Sequence, residues 1–252
     1  GVTRLLDDAS VQVRLGTSVV VAPDHNPVHL AKLFSTLDNM SNGRLIIGIG
    51  LGGRLQQAKL LGGATERRVR YLVESLGVMK ALWEQPKASY DGYFWKLDGE
   101  TMEPKPVQKP HPPIWLGARH SNALKRTVRH ADGWMGAGSS DTESFVTAVG
   151  QVRMYLEESG REPASFAVSK RVYVAVDNNE QRAESRLKEW FGKRYGNAGM
   201  ASQVSVWGSA ARCTAELAKV TEAGAEMGVP SPLACQAPDR GAPGVLVLPW
   251  LD

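Results

Sequence analysis

The chain has 252 residues, of which 42% are hydrophobic and 22% charged, and a formal net charge of +4. These are the proportions of a globular chain long enough to bury a sizeable core without disulfides or metals, and they exclude collagen-like, disulfide-scaffold and low-complexity classes. Basic and acidic residues are interspersed and form no Lys/Arg block, so no nucleic-acid partner is expected.

In chain order, Val11–Ala22 reads as one strand, alternating at first and then continuously apolar. Pro27–Met40 reads as a helix, with Pro27 in its first turn and Leu30, Leu33, Phe34 and Leu37 on one stripe. Asn26 is the stronger N-cap candidate, beside Asp24. Leu45–Gly50 is the next strand, and Glu66–Trp83 an amphipathic helix. From Glu84 to Pro112 the chain makes an excursion with a hairpin-like turn at Tyr90–Gly92. Its proline density excludes helix and central strand.

Strands then alternate with helices: Ile114–Ala118, Asn122–His130, Gly133–Met135, Thr142–Ser159, Ala167–Val176, Glu180–Tyr195 and Ala210–Ala223, with a last strand at Gly244–Leu248. Gly228–Pro243 is rich in Pro and Gly and reads as loop or disordered. This β-then-α order belongs to a parallel α/β sheet, and nothing marks a linker, so residues 1–252 read as a single domain.

Three segments carry chemistry. Pro23-Asp24-His25-Asn26-Pro27 follows a strand, and His25 is the one group there that titrates near neutrality; the plain alternative is an exposed loop histidine. Gly48-Ile49-Gly50-Leu51-Gly52-Gly53 lets the backbone approach a ring or phosphate, although its spacing is not a dinucleotide fingerprint. Gly117-Ala118-Arg119-His120-Ser121 precedes a helix, where backbone N–H groups, a guanidinium and a hydroxyl make an anion site; the plain alternative is that Ser121 only caps the helix. Cys213 and Cys235 make no metal- or redox-type pair, and no metal site is expected. No apolar run is long enough for a bilayer and Gly1–Arg4 does not open a signal peptide, so the expectation is a cytoplasmic protein without a membrane partner.

Four ordered segments, Leu15–Gly52, Tyr71–Leu97, Pro104–Met135 and the strand-helix pattern from Ala167, resemble the luciferase-like monooxygenases and their F420-dependent relatives. The resemblance implies a TIM-type (β/α)8 barrel. It also implies F420, with FMN as the alternative, and hydride transfer or monooxygenation on a small organic substrate.

It implies a non-proline cis peptide at Ser18–Val19 propping the ring, Gly50 and Gln56 near the ring, and Gly117, Ala118, Arg119 and Ser121 on the cofactor phosphate. His25 is the catalytic candidate. Arg44 and Asp132 are read as structural, and Trp115 and Trp134 as core. Gly53 stands where F420-using relatives carry an acidic or polar side chain. The chain matches the family from about its third strand, so two βα units are expected to be lacking and association as a homodimer is expected. A non-catalytic, cofactor-binding or structural relative is the alternative reading.

Overall fold

A computed structural model describes residues 14–53, 55–225, 227–231 and 246–247. The chain forms two compact units, one ending at Gly117 and one running from Ala118 to Val247.

The first unit contains β1 (Leu15–Gly16), β2 (Val20–Val21), α1 (Pro27–Met40), β3 (Leu45–Gly50), α2 (Leu55–Leu60), α3 (Arg68–Glu84), β4 (Ala88–Asp91), β5 (Lys96–Glu100) and β6 (Ile114–Ala118). Every residue of β3 is buried, as suits a strand flanked by parallel partners. β1 and β2 pair with one edge of it and β6 with the other.

The strand expected over Val11–Ala22 is therefore two short strands, and residues 11–13 lie outside the described residues. Gly16 pairs with Ile46 and Val20 with Ile49, so Thr17, Ser18 and Val19 stand opposite only Ile47 and Gly48. One extra residue on one strand is a β-bulge, which breaks the ladder locally and re-aims side chains.

α1 begins where expected: the Asn26 carboxamide accepts from the Val28 amide at 2.9 Å. Its buried face is Leu30, Ala31, Phe34, Ser35 and Asp38, while Leu33 is 41% exposed. The expected stripe is thus rotated toward a polar edge. That edge is buried because the proline-rich connection is stitched to it: the Gln108 amide and side chain donate to Asp38 at 2.9 and 2.7 Å. Trp83 of α3 donates to the Ala31 carbonyl at 3.0 Å, locking α3 to α1. α3 starts two residues later than its expected Glu66. Its apolar residues Leu72, Leu76, Met79 and Leu82 are buried, and Tyr71 is partly buried.

The expected turn at Tyr90–Gly92 belongs to an antiparallel hairpin of β4 and β5. Buried Glu74 holds it, accepting from the Phe94 amide at 2.7 Å and from Arg70 at 2.8 Å. Burial works to raise the Glu74 carboxyl, but the Phe94 and Tyr93 amides and Arg70 outweigh it and hold the group below its ordinary value.

The second unit contains α4 (Ser121–His130), β7 (Gly133–Gly136), α5 (Thr142–Glu158), β8 (Ala167–Val176), α6 (Glu180–Tyr195), α7 (Ala201–Val204), β9 (Ser205–Gly208), α8 (Ala210–Glu222), β10 (Met227–Ser231) and β11 (Leu246–Val247). β8 pairs in parallel with β7, β9 and β10. Side-chain caps set three helix starts: Asp141 on Ser144 for α5, Asn179 on Arg182 for α6 and Ser209 on Arg212 for α8. Gly196, at φ +67°, ends α6 in the left-handed conformation.

One core gathers Leu124, Val128, Trp134, Phe145, Val149 and Phe166. Trp134 stacks on Phe145 with ring centroids 5.4 Å apart and donates to the Ala118 carbonyl at 3.0 Å. A second core packs α6 on β8 through Tyr173, Ala175, Leu187 and Phe191. Cys213 is buried beside Val172 and Val206, and Cys235 lies outside the described residues.

α2, α7 and β9 were not expected from the sequence, and neither were the strands β4, β5 and β10. The expected loop at Gly228–Pro243 is corrected in its first part, because residues 228–231 belong to β10, which finds a partner in the long strand β8 despite Pro230. Residues 232–243 lie outside the described residues, as do 244, 245 and 248 of the expected last strand. Among the described residues no helix is long and apolar enough to cross a membrane.

Trp134→Ala should cost about 3–5 kcal/mol, the usual result of truncating a buried aromatic, measured by denaturant unfolding. A carboxyl depressed in the fold contributes stability above its unfolded value and loses it as pH falls through the folded value. Glu74→Gln should therefore destabilise by roughly 1–3 kcal/mol at neutral pH. The gap from wild type should close below the ordinary carboxylate range, read as unfolding midpoints against pH.

Candidate functional site

The first unit builds a cradle at its bulge. Thr17 fixes the bulged segment to β3, its hydroxyl donating to the Gly48 carbonyl at 2.8 Å. The Ser18–Val19 peptide is cis, the bond the resemblance singled out. Val19 then projects over two glycines. A methyl on Gly50 would come within 2.6 Å of Val19 Cγ2, and one on Gly117 within 3.5 Å of Val19 Cγ1. Glycine is thus required by close approach at Gly50, whereas a methyl on Gly117 would make an ordinary contact. The result is a ledge of backbone and one β-branched side chain at the carboxyl ends of parallel strands, where parallel α/β folds place ligands.

Beyond β2 the chain makes a tight turn at Ala22–Asp24 and reaches His25, whose amide donates to the Ala22 carbonyl at 3.0 Å. Burial pushes the His25 imidazole below its ordinary value, and the neighbouring Asp24 carboxylate opposes that. Asp24 does not cap α1; it pairs with Arg68 at 3.2 Å. Tyr71 donates to the His25 carbonyl at 3.0 Å and packs edge-on against Phe94 and Trp95.

Gln56 lies exposed on the six-residue helix α2. A side chain at Gly53 would meet nothing within 4 Å. The position where the resemblance leads to the expectation of an acidic or polar side chain is therefore open space here.

In the second unit, Ala118 is buried and its carbonyl is taken by Trp134, while Arg119, His120 and Ser121 are exposed. The expected cap by Ser121 is corrected. His120 occupies the cap position without a side-chain bond, and Ser121 is the first helical residue, its hydroxyl 2.7 Å from the Tyr155 hydroxyl. A residue already inside the helix has its side chain turned off the axis and cannot reach the second or third amide.

Asp141 is held below its ordinary carboxylate value first by the Ser144 amide and side chain, against burial, with the Lys170 and Arg119 charges adding to that. Lys170 is 2% exposed and donates to the Ser140 carbonyl at 2.7 Å and hydroxyl at 3.1 Å, tying down the loop after β7. Burial lowers it to about 8, opposed by Asp141. The expected structural residues sit as follows: Trp115 and Trp134 are buried, Arg44 Nε donates to the Ser41 carbonyl at 2.8 Å, and the Asp132 carbonyl accepts from Ala167 at 3.1 Å. Among the described residues no group of three or more His, Cys, Asp or Glu side chains is placed to hold a metal.

Sequence reasoning missed Arg68 and Lys170. Arg68 lies in the run Glu66-Arg67-Arg68-Val69-Arg70, which reads as a solvated helix start, and only packing selects one arginine of three. Lys170 carried a signal, since it occupies a strand position flanked by Val168 and Val172 where alternation calls for an apolar residue.

Comparison with known proteins identifies the family. The family model described as luciferase-like monooxygenase matches residues 9–227. The oxygenase component of a flavin-dependent trigonelline monooxygenase from Acinetobacter baylyi is 36% identical over 132 residues, 50% of this chain and 35% of that protein. An F420-dependent glucose-6-phosphate dehydrogenase from Nakamurella multipartita is 27% identical over 183 residues, 71% of this chain and 53% of that protein. The chain thus spans about half or less of the length of the curated relatives it matches. Among solved structures, an F420-dependent secondary alcohol dehydrogenase in complex with an F420–acetone adduct superposes with a TM-score of 0.78 at 18% identity, covering 91% of this chain and 76% of that one. The fold is that of these α/β enzymes, and the chain belongs to the luciferase-like monooxygenase family.

Proposed function

We propose that the chain serves an oxidoreductase that uses reduced F420, with FMN as the alternative, on a small organic molecule. The observation that carries this is the bulge at Thr17–Val19 with Val19 seated against Gly50 and Gly117. A planar ring needs a close-packed apolar support, and Val19, seated so tightly on Gly50 that a single methyl there would displace it, would present one. Ser18, Val19 and Gly50 would support the ring, and Gln56 would reach it by hydrogen bond. Gly117, Ala118, Arg119 and Ser121 would serve the cofactor phosphate through N–H groups, a guanidinium and a hydroxyl.

When bound, the reduced cofactor supplies the hydride. The chain's own part is to position the ring, to keep water from it and to handle the proton. His25 is the candidate to deliver the proton that accompanies the hydride to the substrate; burial holds its imidazole below its ordinary value, against the Asp24 carboxylate. F420 is preferred because Leu15–Pro27 and Gly43–Gly50 resemble that branch of the family; coverage does not separate the cofactors, since an F420-dependent and an FMNH2-dependent relative match 71% and 70% of the chain. The family match runs through both units, which supports reading them as one luciferase-like domain, and we propose that it works as a homodimer. The open space at Gly53 favours one other reading, a relative that binds the cofactor without turning it over.

Titration of the purified protein with F420 and with FMN, followed by absorbance and calorimetry, separates these readings. F420 should bind and support reductase turnover. Tight FMN binding without F420 binding overturns the cofactor preference, and binding without turnover favours the non-catalytic reading. Gly50→Ala should weaken binding of either cofactor about tenfold or more, and cost about 1–3 kcal/mol of stability as an overpacked site.

A further inference from the structure

Three stretches distant in sequence converge on one side chain in the first unit. Arg68 Nη2 donates to the Leu51 carbonyl at 2.7 Å and to Asp24 Oδ1 at 3.2 Å, while Nη1 donates to the Ala64 carbonyl at 2.6 Å. The side chains of Arg68 and Asp24 are 10% and 6% exposed. The surroundings are close-packed. Gly52 has φ +65°, and a methyl there would come within 2.4 Å of Val21 Cγ1 and 3.2 Å of the guanidinium. A methyl on Gly63 would meet the Pro23 carbonyl at 2.5 Å, and the Ala64 amide donates to that same carbonyl at 2.7 Å.

We propose that Arg68 is a positioning residue of the candidate site, tying the loop after β3 to the turn after β2 and neutralising the Asp24 carboxylate beside His25. The argument is geometric. A guanidinium offers five donors in a rigid fork, and this one spends them on two backbone carbonyls and a carboxylate from three segments. Lysine carries the same charge but cannot hold that geometry.

The electrostatic half follows from proximity. Asp24 alone favours protonated His25, and a cation paired with Asp24 cancels part of that effect. Several described elements bring titratable and charged groups toward His25. Its own turn brings Asp24. α3 brings Arg68, through Asp24, and Tyr71, which donates to the His25 carbonyl. α2 packs on the same turn and its charged residue is Lys59; α1 starts two residues on, with His29 as its first titratable group. The bearing on catalysis rests on the proposed role of His25, but the ligand-free protein reads out the positioning itself.

The test is the NMR titration of the His25 imidazole and amide hydrogen exchange at Leu51–Gly53, both without cofactor. In Arg68→Met, His25 should titrate at higher pH than in wild type, because Asp24 is left uncompensated. In Asp24→Asn it should titrate lower. In Arg68→Lys the titration should stay near wild type while Leu51–Gly53 exchange about tenfold faster, since the charge is kept and the fork is lost.

The double variant R68M/D24N carries neither charge, keeps the site neutral if Arg68→Met alone does not fold, and should titrate between Asp24→Asn and wild type. Equal titration of Asp24→Asn and the double variant overturns the electrostatic role. Unchanged exchange in Arg68→Lys overturns the positioning role. Failure of F420 and FMN to bind would remove the proposed function and leave these outcomes as they are.

Discussion

β3 is the element on which the first unit depends, because two strands must pair with it out of step. β1 and β2 run along its length, yet three residues of the first segment stand opposite two of β3. Backbone groups in a buried sheet must be paired, and the mismatch concentrates their disruption at Thr17–Val19. Thr17 settles part of it by donating to Gly48. The rest appears as a ledge with Val19 at its top, possible only because β3 ends in residues without side chains at the point of contact. An irregularity in pairing is thereby turned into the feature that suits a planar ring.

The charged residues around that ledge follow the logic of buried ions. Asp24 is carried inward by the tight turn, and a carboxylate there needs a partner and further hydrogen bonds. Arg68 supplies both and also spends donors on two carbonyls. The partner comes from α3, whose place is fixed by Trp83 on α1 and by Glu74 under the hairpin. Packing far from the ledge thus sets the charge beside His25. In the second unit Lys170 plays a comparable part, a buried cation satisfied by the oxygens of the loop it restrains.

The candidate site has one open feature. Gly53 faces nothing, and Gln56 is exposed on a short helix whose neighbours Leu55, Leu60 and Leu61 are also exposed. The ledge is built from backbone and the partly buried side chain of Val19, whereas the described polar side chain beside it, Gln56, is exposed.

Several elements were determined by the sequence alone. Leu45–Gly50, Ile114–Ala118, Ala167–Val176 and Glu180–Tyr195 occur with the ends that apolar runs, caps and glycines predict, because these signals act over a few residues. Asn26 and Pro27 set the start of α1 in the same local way. The family resemblance placed the cis peptide at Ser18–Val19, which no propensity marks.

What tertiary structure decided is what depends on partners distant in the chain. The split of Val11–Ala22 into two strands is a matter of register against β3. The short strand β9 and the extension of β10 into a Pro-rich stretch depend on the length of β8. The rotation of α1 toward Asp38 depends on the connection that covers it. The choice of Arg68 among three neighbouring arginines depends on where Asp24 and Leu51 end up. Local chemistry names the elements, but pairing and buried charge require three dimensions, because their energies are set by which distant group arrives.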